Sequence, residues 1–386
     1  MSRVLVHICL IAPYSDGFSY QENVLSKYHS KMGYETYVLA SKFSWDSSGK
    51  VVCVNDDKYV DENGVTVIRL SDKQGKGVGN RFKTYPQLKE TLEGLSPEII
   101  FLHGCQLLDA KVICDYASRR SDCRLYVDNH ADYTNSAKSI ISKLFLHGFL
   151  WRRSARILSK EAEVFWGVLP ARVDFLIERY GLRASQCKLL VMGADDDIVR
   201  KANLPGVRQS VRDRFGFGEH DLLICTGGKI DKAKKQVLDL MDVVSSCDGA
   251  IKLLVFGSVD DELRVDFESK LSENNILYAG WASDQEAANY FAASDVCAFP
   301  GRHSVYWELA AGLGKPLLLS DIPGTGHLER GKNSIRFSGY DADSMRKDLL
   351  MLLDDGYVKV MTAAARAAAQ DFLYSTIAKR AICCEW

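Results

Sequence analysis

The sequence predicts an α/β protein built as two doubly wound parallel sheets in tandem. Three observations carry that prediction. Strand-length apolar runs alternate with helix-length segments along the chain. Most of these runs are continuous Val, Ile, Leu and Phe rather than alternating apolar and polar residues, the pattern of parallel strands covered on both faces. Hydrophobic periodicity lapses from Met192 to Gly206, where turn formers gather, and a fresh strand begins at Leu222.

Taken in order, the expected strands of the first half are 4–11, 35–40, 66–70, 99–102 and 124–127, and those of the second half 222–226, 252–256, 276–278, 296–299 and 316–319. The first run is too short for a signal peptide and lacks a small-x-small cleavage pattern, so it is expected as a buried strand. Between the halves, 207–215 has helical spacing, and an alanine-rich helix is expected around 361–371. No run approaches the ~20 apolar residues that a spanning helix needs. No internal repeat or low-complexity stretch is visible.

Composition narrows the class. With 386 residues, 47% apolar and 26% charged, the chain is of ordinary globular composition and long enough for two cores. A formal charge of −1 gives no global field to recruit nucleic acid, so no nucleic-acid partner is expected and any anion site must be a local cluster. Eleven cysteines at irregular positions, with no C-x-x-C pair and with Cys383 and Cys384 adjacent, suit neither a disulfide framework nor zinc. Reduced thiols in a cytoplasmic protein are the expectation.

Two segments carry the chemistry. The first reads Ile224-Cys225-Thr226-Gly227-Gly228-Lys229-Ile230-Asp231-Lys232-Ala233-Lys234-Lys235, a glycine turn and a basic cluster after an apolar strand. Open α/β sheets bind ligands at the C-terminal ends of their strands, and helix-start amides add partial positive charge there, so a diphosphate suits Lys229 and Lys234. The competing reading is two surface lysines opening a solvated helix. The P-loop frame is absent. The second segment, Phe299-Pro300-Gly301-Arg302-His303-Ser304-Val305-Tyr306-Trp307-Glu308, ends on a carboxylate that can accept both hydroxyls of a ribose diol, or that simply opens a helix.

Other candidates are weighed in the same way. His130, after a buried strand and among Asp128, Asn129, Asp132 and Tyr133, belongs to a polar cluster that a core loop would struggle to satisfy. His103-Gly104, after the strand 99–102, is a second such position. The triplet Asp195-Asp196-Asp197 invites a Mg²⁺ or Mn²⁺ reading, but consecutive carboxylates in a linker point in different directions, and no metal is expected. The glycine-rich piece 73–79 follows no strand and reads as a surface loop. Residues 133–160 hold six lysines and arginines and no acid, interleaved with apolar and aromatic residues. A basic amphipathic helix of this kind either lies in an anionic membrane interface or covers its own domain's core with a solvated face.

At these residues the chain resembles the family 4 glycosyltransferases of GT-B fold, particularly those that build bacterial surface polysaccharides such as lipopolysaccharide or capsule. The family's N-terminal loop is similar to Ala12-Pro13-Tyr14-Ser15-Asp16-Gly17-Phe18-Ser19-Tyr20, its inter-domain histidine to His130, and its diphosphate-binding pair to Lys229 and Lys234, with Lys in place of Arg at the first. Glu308 matches the second of the family's two glutamates. Pro300 stands where the first would be, in a loop that is shorter than usual and brings His303-Ser304 to about that place.

The resemblance implies two Rossmann-like domains facing across a cleft: 1–198 for the acceptor, 199–365 for the nucleotide-sugar donor, and 366–386 as a helix crossing back to the N-terminal domain. It implies a retaining glycosyltransferase using a UDP- or GDP-sugar as substrate, no metal or cofactor, and a glycan or lipid-linked saccharide as acceptor. His130, Lys229, Lys234 and Glu308 would be catalytic. Gly17, Gly228, Gly257, Trp281, His303 and Ser304 would complete the donor site, and Asp16, Tyr20, His103 and Asp132 the acceptor side, with Gly324-Thr325-Gly326 bordering the cleft. Membrane contact through 136–160 would place the protein peripherally at the inner face of the plasma membrane. Two other classes stay open: a GT-B sugar-nucleotide epimerase or hydrolase, and a non-catalytic subunit of a polysaccharide assembly complex.

Overall fold

A computed structural model describes residues 3–383 apart from 47–48, 74–81, 138, 140–141, 248, 273, 323 and 340. Of the segments singled out above, Gln74 to Gly79, Lys138, Ile140, Ile141 and Cys384 lie outside the described residues. The chain divides into two compact units, Met1–Val191 with Ile377–Trp386, and Met192–Thr376. The ten expected strands are all present, their ends displaced by no more than two residues.

The first unit holds an eight-stranded sheet in the order Cys187–Leu189, Ala162–Gly167, Arg124–Asn129, Ile99–Leu102, Val4–Cys9, Glu35–Ser41, Thr66–Leu70, Lys58–Val60. All its pairings are parallel except that of the edge strand Lys58–Val60, which returns antiparallel. The inner strands bury almost every side chain, as their unbroken apolar runs require. The last helix, Tyr374–Cys383, buries Ile377, Ala378, Ala381 and Ile382. Trp166 Nε1 donates to the Ala381 carbonyl at 3.1 Å, and the Tyr126 hydroxyl to that of Ile382 at 2.6 Å. Both carbonyls belong to the final turn, which has no intrahelical donors of its own.

The second unit holds a fully parallel six-stranded sheet in the order Ile276–Tyr278, Ile251–Phe256, Leu222–Gly227, Val296–Phe299, Leu317–Leu319, Ser334–Arg336. Its core packs Ile224, Leu240, Met241, Leu253 and Val255 with Val296, Leu318 and Met345. Asp195 accepts from the Asp197 amide at 2.9 Å and so caps the helix Asp196–Ala202, and Asp196 accepts from the Ser375 amide at 3.0 Å.

One expectation needs correction. The basic segment is not a single amphipathic α-helix: Ser142–Leu150 winds as a wider π-helix and only Trp151–Leu158 is α-helical. Trp151 is buried in the core, so the aromatic edge faces outward through Phe145 and Phe149 instead.

Candidate functional site

Strand Leu222–Gly227 and its neighbour Val296–Phe299 are the centre of the second sheet. From the first, the chain winds out to one edge through Ile251–Phe256 and Ile276–Tyr278. From the second, it winds to the other edge through Leu317–Leu319 and Ser334–Arg336. The crevice beyond their C-terminal ends is thus a topological switch point, where such sheets take ligands. Both segments singled out from sequence emerge there.

Glycines close the strand ends on one another. A Cβ on Gly227 would lie 2.2 Å from the Phe256 ring, and one on Gly257, at φ +116°, would lie 2.0 Å from the Gly228 carbonyl oxygen. The Gly228 amide donates to the Phe256 carbonyl at 3.1 Å, and the chain then turns out into Lys229. The two predicted cations differ in what they meet. Lys229 Nζ is exposed and already lies 3.2 Å from Asp260 and 3.8 Å from Asp231. Lys234 closes the turn Lys232–Lys234, which Asp231 caps by accepting from the Ala233 amide at 2.9 Å. It is half-buried and makes no ion pair among the described residues. Burial lowers its pKa, with Asp231 opposing in part.

The loop 300–308 packs onto this turn. A Cβ on Gly301 would lie 3.2 Å from Lys234 Cα, and the Tyr306 ring lies beside Gly228. Ser304 is buried and its Oγ accepts from the Tyr306 amide at 3.3 Å, while the His303 ring stands edge-on to Trp307 at 4.9 Å. Glu308 enters the helix Trp307–Gly312 almost wholly buried, at 1% exposure. Its Oε1 lies 3.0 Å from His327 Nε2, and its Oε2 has no hydrogen-bond partner among the described residues. Gln236 Oε1 and Trp307 Nε1 are buried and unpartnered in the same unit. A buried carboxylate oxygen without a donor costs free energy unless something supplies one. The arrangement can therefore accept hydroxyls at Glu308 and a negative charge at Lys234. Sequence reasoning missed His327. Its one signal was its place directly after Gly324-Thr325-Gly326.

The first unit has its own switch point, between Val4–Cys9 and Ile99–Leu102, and His103 stands there. It belongs to a buried chain of imidazoles. His29 Nε2 meets the Ala378 carbonyl at 2.8 Å, and His29 Nδ1 meets His7 Nε2 at 2.9 Å. His7 Nδ1 then meets His103 Nε2 at 2.9 Å, and His103 Nδ1 meets Asp128 Oδ2 at 2.9 Å. Asp128 Oδ1 accepts from the Gly104 amide at 2.8 Å, and His130 Nε2 lies 3.4 Å from Oδ2. Burial pushes the Asp128 carboxyl up, but His130 and His103 beside it outweigh that and hold it well below the usual range. Burial pulls His130 down, and Asp128 more than restores it, leaving it raised. The structure thus brings His103 and His130 onto one carboxylate, with His7 and His29 as members that sequence reasoning did not name.

The remaining candidates are placed as follows. Asp132 Oδ1 accepts from Thr134 and from the Asn135 amide, and its Oδ2 pairs with Arg172 at 3.2 Å, so this carboxylate holds its own loop. Asp16 accepts from the Tyr59 hydroxyl at 2.7 Å. Gly17 takes φ +73°, and Tyr20 is half-exposed with Phe18 edge-on at 5.3 Å. Trp281, beyond Gly280 at φ +77°, is 76% exposed. Among the described residues no group of three or more His, Cys, Asp or Glu is placed to hold a metal ion.

Residues 220–355 match the family described as glycosyl transferases group 1, a stretch that contains the glycine turn, both lysines, Glu308 and His327. Mannosylfructose-phosphate synthase of Agrobacterium fabrum is 22% identical over 160 residues, covering 39% of this chain and 35% of that protein, so the chain matches about a third of that relative's length. Among solved structures, a glycosyltransferase from Rickettsia africae is 12% identical with a TM-score of 0.69, covering 98% of this chain and 96% of its own. HepE of Anabaena in complex with UDP is 14% identical with a TM-score of 0.67, covering 98% of each chain, and it has also been solved with UDP-glucose. These likenesses show a shared architecture, the GT-B fold.

Proposed function

We propose that this chain, which has the GT-B fold and matches the group 1 glycosyl transferases over residues 220–355, moves a sugar from a nucleotide-sugar donor to a saccharide acceptor with retention at the anomeric carbon. One observation carries the reading. At a single switch point emerge the loop 300–308, which ends on a buried carboxylate oxygen with no donor among the described residues, Glu308 Oε2, and the turn that this loop packs onto through Gly301, which holds a half-buried ammonium, Lys234, in no ion pair among the described residues. A ribose diol and a diphosphate are the two ends of a nucleoside diphosphate. They would satisfy the oxygen and the ammonium respectively. The complexes of HepE with UDP and UDP-glucose support a nucleotide-sugar donor, here a UDP- or GDP-sugar.

In this reading Glu308 fixes the ribose, and Lys234 with Lys229 draws off negative charge as the diphosphate leaves from an anomeric carbon of oxocarbenium character. Trp281 borders the base, and Gly17, Gly228 and Gly257 let backbone approach the donor. His303 and Ser304 stand by the sugar's hydroxyls. His130, held by Asp128, contacts the donor sugar, while Asp16, Tyr20, His103 and Asp132 belong to the acceptor side. The reading assigns no metal or cofactor. Front-face attack assisted by the leaving phosphate needs no carboxylate nucleophile. The acceptor is a glycan or lipid-linked saccharide of a bacterial surface polysaccharide, and the work is done at the inner face of the plasma membrane, contacted through 136–160.

The test is a thermal-shift panel of UDP-, GDP-, ADP- and dTDP-sugars, since a ligand bound to the folded state alone raises its melting temperature. Stabilisation by one base class is expected, followed by transfer to a saccharide with the donor's anomeric configuration kept. Interconversion of the donor sugar would instead establish an epimerase, and no shift with any donor would end the reading.

A further inference from the structure

We propose that an arginine-lined recess on the first unit is the docking site for the phosphate of an anionic membrane lipid. The inference rests on the membrane part of the reading above and is independent of the transfer chemistry. The recess has a volume of about 670 Å³ and is lined by Arg152, Arg153, Arg156 and Lys160 together with Gly148, Phe149 and Ile157. It lies where the π-helix Ser142–Leu150 passes into the α-helix Trp151–Leu158.

Gly148 lines it, and two of its lining arginines, Arg152 and Arg156, converge on a second glycine, Gly181. A Cβ on Gly148 would lie 2.6 Å from Arg179 Nη2. One on Gly181 would lie 2.7 Å from Arg156 Nη2 and 3.0 Å from Arg152 Nη2. Those last two nitrogens are thus within a single phosphate's reach of each other. Arg156 is oriented by donating Nε to the Tyr180 carbonyl at 3.2 Å. Arg152 Nε, Arg179 Nε and Arg179 Nη2 are buried and have no partner, and none of these arginines, nor Lys160, makes an ion pair among the described residues. Like charges gathered this closely, with buried donors unmet, are unfavourable until an anion arrives.

The rim decides which anion. Leu144, Phe145 and Phe149 are 66%, 59% and 62% exposed, on the same helical stretch as the recess. A free phosphate has no use for that apolar surface. A lipid headgroup does, because its phosphate can enter the recess while the three side chains settle into the acyl boundary. The bidentate fork of arginine matches phosphate geometry better than lysine would.

The experiment is sedimentation of the full chain with phosphatidylglycerol vesicles and with phosphatidylcholine vesicles. Wild type is expected to bind the former only. Arg152→Gln/Arg156→Gln should weaken that binding about tenfold or more, and a control of equal charge loss, Lys89→Gln/Lys111→Gln, should not. Phe145→Ser/Phe149→Ser should weaken it while leaving every cation in place. The arginine variant gives up the Arg156 hydrogen bond to the Tyr180 carbonyl but also sheds crowded like charges, so it should melt close to wild type. Wild type that ignores anionic vesicles overturns both the recess and the membrane reading. Binding that survives in the arginine variant overturns the recess alone. A thermal shift with inorganic phosphate but no vesicle binding overturns the lipid assignment. In each case UDP affinity, measured separately, reports on the donor site.

Discussion

His327 Nε2 lies 3.0 Å from Glu308 Oε1, while its Nδ1 lies 3.0 Å from the Gly324 carbonyl oxygen. The Gly324 carbonyl can only accept, so Nδ1 donates to it, and His327 bridges that carbonyl to one oxygen of Glu308 while the other, Oε2, is left for a ligand. His327→Gln cannot span both partners in the same way. Its affinity for UDP is expected to fall by about tenfold, roughly 1.4 kcal/mol. Calorimetry checks this, and unchanged affinity with Glu308→Gln still impaired would show that Glu308 holds its place without the histidine.

Lys234 makes no ion pair among the described residues, and burial lowers its pKa with Asp231 opposing in part. Replacing it with alanine removes a charge-assisted contact and should weaken UDP binding by about 1–3 kcal/mol. Lys229→Ala should cost less, because Asp260 and Asp231 already share its charge. The shift also gives a pH sign. A free Lys234 ammonium is lost on raising pH sooner than an ordinary lysine's, so wild-type affinity should decline on the alkaline side and Lys234→Ala should not show that decline. Equal pH profiles would remove Lys234 from the phosphate site.

Much of this was legible because parallel strands advertise themselves. Both sheets' inner strands are unbroken apolar runs, and Gly227-Gly228 before Lys229 marked the switch point of the second. What escaped has physical causes. Ser334–Arg336 and Cys187–Leu189 are three-residue edge strands, half-covered and polar enough to look like loop. Ala162–Gly167 follows the basic segment after only Ser159-Lys160-Glu161, with no glycine or proline to mark the turn. His327 and Glu308 meet across nineteen residues of sequence, and His7, His29 and His103 meet from a strand, a helix and a loop, so no local spacing encodes either contact.

The imidazole chain makes acid sensitivity a property of the first unit. Both of its ends, the Ala378 carbonyl and the Asp128 carboxylate, only accept, so His29 donates to the one and His103 to the other. Burial, with neighbouring imidazoles, drives His7 well below its ordinary value. Burial likewise drives His29 down to about 4, against the pull of the Ala378 carbonyl. The unfolded chain binds protons at these two positions near pH 6.5 and the folded one does not, so stability should fall as pH drops from about 6.5 toward 4, by up to about 3 kcal/mol from His29. Asp128, depressed in the fold, adds a further loss below its unfolded value near pH 4. Urea midpoints against pH measure this, and His29→Gln should flatten the upper part of the acid limb. Asp128→Asn takes from His103 and His130 the buried carboxylate they share and is expected to cost about 3–5 kcal/mol.

Gly257 tests whether the strand ends of the second unit must close for the donor to bind. Its φ of +116° disfavours any side chain, and a Cβ would stand 2.0 Å from the Gly228 carbonyl oxygen, a backbone atom that no rotamer change can move aside. Gly257→Ala must therefore push the Gly228 turn away from Phe256, carrying Lys229 and the cap of Lys232–Lys234 with it. Nucleotide affinity should fall more than with Lys234→Ala, alongside a loss of stability of about 1–3 kcal/mol from the strained position. Gly280→Ala is the control: it too has positive φ, +77°, but open space around its Cβ, so its cost is backbone strain alone and the turn keeps its place. If Gly257→Ala binds UDP as tightly as Gly280→Ala does, the closeness of the two strand ends has no part in holding the ligand.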